Sequence, residues 1–257
     1  MLISYAQNRE DLYLWALVGH RPAGTYVDVG CNDERVHSVT RMFYEQGWSG
    51  LNIDANDSFA EGFATRTRDR FVTSGIGAEP AELTFRQYDR HNGLSTFDDV
   101  IKSGHEANGY PFIDKTVAVR TLTEVLGEAQ VTQIDFLKID VEGMEPEVLQ
   151  GLDLGRFRPT VIIAEAMRSA DCETVLFPAG YRREFFDGLN VYYVDNAAND
   201  VTIHAYSDRV LKVAHQTALE HQLLNGRLMT VVRGAQATAR FGRSTARRAR
   251  RKATRPG

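Results

Sequence analysis

The chain has 257 residues, of which 43% are hydrophobic and 25% charged. This composition suffices for the core of one large α/β domain and excludes a disordered or fibrous protein. Neither 18 successive uncharged apolar residues nor a basic segment leading into an apolar core occurs, so we expect a cytoplasmic protein without a membrane span or signal peptide. The two cysteines, Cys31 and Cys172, lack the spacing of zinc or redox motifs and are predicted to be buried thiols.

The net charge of −4 is unevenly distributed along the chain. Residues 240–257 carry eight Arg or Lys and no acid, which leaves 22 of the 30 basic residues against all 34 acids in residues 1–239. We therefore expect a domain over 1–239, with a helical extension from about 205, and a disordered basic tail over 240–257. A solvated end is favoured for this tail over the alternative of weak contact with an anionic membrane surface. The tail lacks aromatics apart from Phe241, which disfavours specific nucleic-acid binding.

Strand-like and helical patterns alternate along the chain. Strands are predicted in chain order at TYVDVG (25–30), LNID (51–54), FVTSGIG (71–77), AELTFRQY (81–88), TVAVRTL (116–122), IDFLKID (134–140), TVIIAEA (160–166) and in a hairpin over 181–195. Helices are predicted at 34–47, about 122–129 and 144–155, and a loop at 91–99. This order predicts a mostly parallel sheet with helices on both faces and a C-terminal antiparallel hairpin.

Polar residues follow several predicted strands, and ligands of such sheets bind beyond the carboxyl ends of the strands. The residues at these ends are Asp28, Gly30, Asn32, Asp54, Asp140, Glu142 and Glu165. Most of them are acids, so the sequence predicts an acidic ligand site at one edge of the sheet.

The acids indicate which cofactor fits. A dinucleotide site requires the pattern G-x-G-x-x-G after the first strand, whereas this chain has one glycine, Gly30, followed by acids that would repel a pyrophosphate. S-adenosylmethionine carries an ammonium and a sulfonium that favour nearby carboxylates. Asp54, 24 residues after Gly30, is placed to bind both ribose hydroxyls.

The sequence resembles the FkbM family of S-adenosylmethionine-dependent methyltransferases over roughly residues 2–195. The matching segments are SYAQNREDL (4–12), YVDVGCNDERVHSVT (26–40), GWSGLNIDAN (47–56), NGLSTF (92–97), DFLKIDVEGMEPEVLQG (135–151), RFRPTVIIAEA (156–166) and FDGLNVYYV (186–194). Family members commonly have glycine where this chain has Arg9 and a small residue where it has Cys31. The resemblance implies a Rossmann-like class I fold with a seven-stranded sheet.

The resemblance also implies roles for individual residues. Residues 1–20 would fold over the cofactor through Gln7 and Asp11, and Asp140 would face the methionine moiety or a metal. Glu142 would face the acceptor, whose expected class is a small or glycosylated molecule, with a sugar hydroxyl of a glycolipid, polysaccharide or secondary metabolite favoured. The identity of the acceptor and the oligomeric state are not written in the sequence.

Two mechanisms remain open at this point. Transfer to a hydroxyl requires alignment and removal of its proton, for which Glu142, Glu165 and His37 are candidate bases. Alternatively, Asp140, Glu142 and Glu165 supply the oxygen ligands that suit Mg²⁺. Ser95 and Thr96 either contact the acceptor or cap a helix near Asp98. Two other functions are weighed against the enzyme: a catalytically silent S-adenosylmethionine-binding protein and a nicotinamide-dependent oxidoreductase.

Overall fold

The computed structural model describes residues 2–19, 21–88, 92–106 and 109–198. The strands in these residues are β1 (Thr25–Val29), β2 (Ser49–Asp54), β3 (Arg70–Thr73), β4 (Gly75–Gly77), β5 (Ala81–Tyr88), β6 (Phe112–Thr121), β7 (Phe136–Ile139), β8 (Val161–Glu165), β9 (Tyr181–Phe186) and β10 (Asn190–Asp195). The α-helices are α1 (Glu10–Val18), α2 (Arg41–Glu45), α3 (Ala60–Phe63), α4 (Asp99–Glu106), α5 (Leu122–Glu128), α6 (Glu145–Gln150) and α7 (Ser169–Leu176). Short 3-10 helices cover Asp57–Phe59, Asn92–Leu94 and Ala166–Arg168.

The main sheet has seven strands in the order β3-β2-β1-β7-β8-β10-β9. The pairs among β3, β2, β1, β7 and β8 are parallel, and β10 runs antiparallel to both β8 and β9. The order changes direction between β1 and β7, which is where open α/β sheets bind ligands. The predicted Rossmann-like fold with its C-terminal hairpin is therefore confirmed.

Two apolar layers cover the faces of this sheet. Because side chains alternate along a strand, Val27 and Leu137 pack against α5, α6 and α7, whereas Tyr26 and Phe136 pack against α1 and α2. The fully buried Trp48 lies in the second layer. Both clusters pack against the strands below the edge of the sheet where the parallel strands end.

A second sheet of three strands, in the order β4-β6-β5, was not predicted. The segment predicted as a single strand over 71–77 divides at Ser74, with β3 in the main sheet and β4 in the second one. The chain passes from the main sheet to the second sheet at Ser74. This point lies beside the end of β2, because the Ser74 N–H donates to the Asp54 carbonyl at 2.9 Å. The apolar residues of this segment are interrupted at the division by Thr73, Ser74 and Gly75, of which the serine and the glycine are turn-prone.

The helix predicted at 34–47 is wrong in its first half, because α2 begins only at Arg41. Asp33 Oδ1 accepts the N–H groups of Arg35 (2.8 Å) and Val36 (2.7 Å), which closes a local turn. His37 then adopts a left-handed φ of 58°, which ends any helix. The valine at 36 is 59% exposed and does not belong to the core.

The helices α1, α3 and α7 were not predicted, and α4 was expected only through the alternative of a cap near Asp98. The first is apolar around most of its circumference and shows no helical periodicity. The proposed boundary at 239, the helical extension from about 205 and the basic tail lie outside the described residues. Within the described part of the chain, no helix has the length and apolar character required to cross a membrane.

Candidate active site

A cavity of about 690 Å³ lies at the carboxyl ends of β1, β2, β7 and β8. This volume is in the range of small-molecule sites, and the position is the one expected for ligands of doubly wound sheets. Its charged and polar wall is formed by Gln7, Glu10, Asn32, Asp33, His37, Asp54, Ser74, Ser95, Lys138, Asp140, Glu142, Glu165 and Asn190. The structure thus brings most of the predicted strand-end residues to one cavity.

The turn after β1 forms one wall. Gly30 has a φ of 75°, and a Cβ added there would lie 1.8 Å from the Asp140 carbonyl oxygen. Only glycine permits this approach between the ends of β1 and β7. Asn32 also has a left-handed φ, 53°, and its Oδ1 is a buried atom without a hydrogen-bond partner among the described residues.

Asp54 at the end of β2 fixes this turn. Its Oδ2 accepts the Asn32 N–H and its Oδ1 accepts the Asn56 N–H, both at 2.9 Å. Burial raises the pKa of Asp54 to about 6, and the two N–H donors oppose that rise. The Asp54 carboxylate therefore lines the cavity and also holds the adjoining backbone through these two bonds.

Three carboxylates meet where β7 and β8 end. Asp140, Glu142 and Glu165 each place one oxygen within 4.8 Å of the others. Burial, followed by repulsion from Asp140 and Glu165, raises the pKa of Glu142 to about 8. Burial and repulsion from Asp140 also raise the pKa of Glu165 to about 7. The cluster therefore takes up a proton or a cation readily near neutral pH.

Glu142 occupies a strained backbone position, with φ 54°. Glu145 Oε1 accepts the N–H groups of Val141 and Gly143, both at 3.1 Å, and Thr96 Oγ1 donates to the Glu142 carbonyl at 2.8 Å. Strain of this kind persists where the surroundings fix it, and it is common at functional sites. Gly143, which follows, has a φ of 103°.

Asp28 does not line the cavity, and its role as a cofactor ligand stays a prediction. Its side chain is 1% exposed and forms an ion pair with Lys138 at 3.3 Å. Burial raises the pKa of Asp28, and the lysine opposes that rise. Asp28 lies within β1 and not beyond its end, so its side chain is beneath the strand ends that border the cavity.

Asp11 is also absent from the cavity wall, although the N-terminal segment does contribute to it. Its carboxylate accepts Ser4 Oγ (2.7 Å) and the Tyr5 N–H (2.8 Å) and so anchors the segment. The residues that reach the cavity are Gln7, as predicted, and Glu10, which was not predicted. Burial raises the pKa of Glu10 to about 7.

The loop before α4 supplies further wall residues. Ser95 lines the cavity, and its Oγ accepts the Tyr88 N–H at 3.2 Å. Thr96 accepts the Asp98 N–H at 2.9 Å, and Asp98 Oδ1 caps α4 through the N–H groups of Val100 and Ile101. The cap near Asp98 is present, and Ser95 keeps its prediction as an acceptor contact.

His37 lies in an exposed stretch of the wall, in a loop that bridges to Ala6. Its prediction as a base stays open. Sequence reasoning missed Glu10, Lys138 and Asn190. The lysine had a detectable signal, since a lysine within an otherwise apolar central strand requires buried partners, whereas Asn190 had none.

The strand order and the cavity at its switch point are those of a class I, Rossmann-like fold. Residues 28–189 match the Methyltransferase FkbM domain, and the chain belongs to that family. Its Arg9, where the family commonly has glycine, has a left-handed φ of 65°, a conformation that glycine adopts without strain.

A search of curated proteins finds no match to the chain. Among solved structures, the chain is similar to precorrin-6y C5,15-methyltransferase from Geobacter metallireducens GS-15, with 12% identity and a TM-score of 0.39, over 75% of this chain and 88% of that chain. Membership of the family makes this protein an S-adenosylmethionine-dependent methyltransferase, which removes the oxidoreductase alternative.

Proposed function

We propose that the protein transfers the methyl group of S-adenosylmethionine to an oxygen of its acceptor. The observation that supports this proposal is the cluster of Asp140, Glu142 and Glu165, whose oxygens lie within 4.8 Å of one another in the cavity wall. A methyltransferase acting on a hydroxyl needs a group that accepts the hydroxyl proton, and this cluster supplies it.

In the proposed reaction the hydroxyl oxygen attacks the methyl carbon in line with the carbon–sulfur bond. The carbon–oxygen bond forms as the carbon–sulfur bond breaks, and the electron pair of that bond remains on sulfur, which becomes a neutral thioether. The hydroxyl proton passes to the carboxylate of Glu142. The protein contributes alignment of the two reactants and the base.

Glu142 is preferred as the base over the other two acids. Its pKa of about 8, like that of Glu165 at about 7, lies near the operating range of a general base. Its backbone is held by Thr96 and Glu145, so the side chain starts from a fixed position. Because the base must be ionised to accept a proton, the rate should rise with pH through about 8.

The same acids are also candidate ligands of Mg²⁺. Oxygens on opposite sides of an octahedral magnesium ion are about 4.2 Å apart, since each bond is about 2.1 Å, and the cluster spans at most 4.8 Å. The raised pKa values of Glu142 and Glu165 indicate negative charge that a cation would neutralise. Bound there, the ion would lower the pKa of the acceptor hydroxyl.

For the acceptor, we propose a sugar hydroxyl of a glycolipid, polysaccharide or secondary metabolite. This proposal rests on the resemblance to the family, and the polar wall residues Ser95 and Asn190 support it because they can bond to neighbouring hydroxyls.

The experiment combines wild type and Glu142→Gln with methyl-labelled S-adenosylmethionine and a panel of glycolipids, oligosaccharides and hydroxylated metabolites. Glu142→Gln should bind the donor nearly as well as wild type and lose at least about a hundredfold in methyl transfer. Glu128→Gln, outside the cavity wall, is the matched control and should keep full activity.

Treatment with EDTA separates the two mechanisms. Loss of activity that Mg²⁺ restores would support the metal site, and activity unaffected by EDTA would support the base. Full activity of Glu142→Gln without a metal requirement would contradict both. Tight donor binding without transfer to any acceptor class would favour the catalytically silent binding protein.

A further inference from the structure

Lys138 is a lysine in the middle of the main sheet. It lies in β7, paired with Asp28 of β1 and Ile163 of β8, and is 8% exposed. Its alkyl chain is covered by the layer that contains Tyr26 and Phe136, and its ammonium reaches the carboxyl ends of the strands, where it enters the cavity wall. A lysine is almost never buried to this extent unless it is paired.

Three oxygens surround the ammonium. Nζ donates to the Gly30 carbonyl at 2.6 Å and lies 3.3 Å from both Asp28 Oδ1 and Asp140 Oδ2. The contact with Gly30 is a hydrogen bond, whereas the two carboxylates are held by the charge of the ammonium, and Asp28 Oδ1 has no hydrogen-bond partner among the described residues. Lys138 therefore acts on Gly30, Asp28 and Asp140 together.

The two carboxylates differ in what they face. The side chain of Asp28 is 1% exposed, whereas that of Asp140 is 43% exposed and borders the cavity. Lys138 contacts one oxygen of Asp140 from the protein side, so the carboxylate keeps its orientation while the rest of it faces the ligand space. Burial lowers the pKa of Lys138, but attraction from Asp140 and Asp28 outweighs it and raises the pKa overall.

The same ammonium connects Asp140 to the turn after β1. Gly30 and Asp140 approach so closely that no Cβ fits between them, and the Asp140 N–H donates to the Val29 carbonyl at 3.0 Å. The glycine turn and the acid of β7 are thus joined twice, once through their backbones and once through Lys138.

We infer that Lys138 is a positioning residue for the methyl donor, which holds the Asp140 carboxylate and the Gly30 carbonyl in the arrangement that receives the methionine moiety. This inference rests on the proposed function, because it takes Asp140 to face that moiety. The competing explanation is purely structural: Lys138 only neutralises the buried Asp28.

The paired variant Asp28→Asn with Lys138→Met distinguishes the two explanations. Removing both charges of a buried pair is far less damaging than removing one, so the variant should fold. A structural role predicts unchanged donor affinity, because the neutral amide needs no counter-charge. The positioning role predicts about tenfold weaker binding of S-adenosylmethionine and S-adenosylhomocysteine, measured by calorimetry on the full chain.

A thermodynamic cycle with Asp140→Asn tests whether Lys138 acts through Asp140. We expect Asp140→Asn alone to weaken the donor about tenfold, and its addition to the paired variant to weaken it little further, since residues that act together are not additive. Additive losses, about a hundredfold together, would overturn the positioning role. An unaltered affinity of Asp140→Asn alone would instead contradict the proposed place of the donor.

Two further variants complete the test. Lys102→Met is the matched control, because Lys102 is 7% exposed, donates to the Thr84 carbonyl at 2.8 Å and lies outside the cavity wall; its donor affinity should equal that of wild type. If the paired variant does not fold, Asp28→Asn with Lys138→Gln replaces it. Wild-type donor affinity in a folded paired variant would overturn the inference.

Discussion

Gly30→Ala is expected to separate the two strand ends that form the cavity. The new Cβ would lie 1.8 Å from the Asp140 carbonyl oxygen and 2.8 Å from its carbon, whereas Cβ contacts rarely fall below 3.0 Å. The ends of β1 and β7 would have to move apart by about 1.2 Å, the difference between these distances. Both neighbours are backbone atoms, so no side chain can rotate away to make room.

The cost has three parts. Left-handed strain at φ 75° contributes about 1–2 kcal/mol, reduced by about 0.4–1 kcal/mol because alanine restricts the unfolded chain. Overpacking adds about 1–3 kcal/mol. Weakening of the Asp140 N–H to Val29 bond and of the Lys138 to Gly30 bond adds about 1 kcal/mol each. Together these give about 3–7 kcal/mol of lost stability.

Gly109→Ala is the matched control. Gly109 has a φ of 69°, close to that of Gly30, and nothing lies within 4 Å of a Cβ placed there. The Gly109→Ala variant has the left-handed backbone strain but no steric collision. It should therefore lose about 1 kcal/mol of stability or less. Urea unfolding of both variants measures the difference, and calorimetry with S-adenosylhomocysteine should show lost binding only for Gly30→Ala. Equal stability and equal binding in the two variants would refute the close approach.

Four further outcomes are expected. Asp54→Ala should weaken the donor by about tenfold to a hundredfold, measured by calorimetry well below the melting temperature, because charge-assisted bonds to the ribose hydroxyls are lost. Arg9→Gly should raise the melting temperature slightly, since it relieves a left-handed arginine. The pKa of Glu142, about 8, lies above its unfolded value of 4.5, so stability falls as pH rises between them; Glu142→Gln should melt above wild type at pH 9 and equally at pH 4. Deleting residues 240–257 should preserve donor affinity and abolish any salt-sensitive binding to anionic vesicles.

The strands of the main sheet could be predicted because each is a compact apolar segment that ends at a turn. LNID became β2, IDFLKID became β7 and TVIIAEA became β8, with ends shifted by one or two residues. Strands with alternating apolar residues, and strands that are apolar throughout, can be recognised from their own residues. This pattern does not depend on the neighbouring strands in the sheet. The helix at 34–47 was wrong because Asp33 closes a turn with its side chain, and this interaction competes with the helix.

The sequence also identified the acids at the strand ends, since parallel strands bring their carboxyl ends to one edge. It could not separate those that face the cavity from those that lie beneath it. Asp54 is the last residue of β2, and Asp28 precedes the last residue of β1. Nevertheless, Asp54 lines the cavity, whereas Asp28 pairs with Lys138. Likewise, Asp11 anchors the N-terminal segment while its neighbour Glu10 reaches the site.

The sequence by itself determined the fold class, the family and the edge of the sheet where the acids gather, because these depend on local patterns and on the order of the elements. Only the tertiary structure decided the contacts of each acid and the raised pKa values of Glu142 and Glu165. The pKa values of Glu142 and Glu165 rise because burial and repulsion act between residues distant along the chain. The place of Lys138 among three oxygens likewise exists only once β1 and β7 lie side by side.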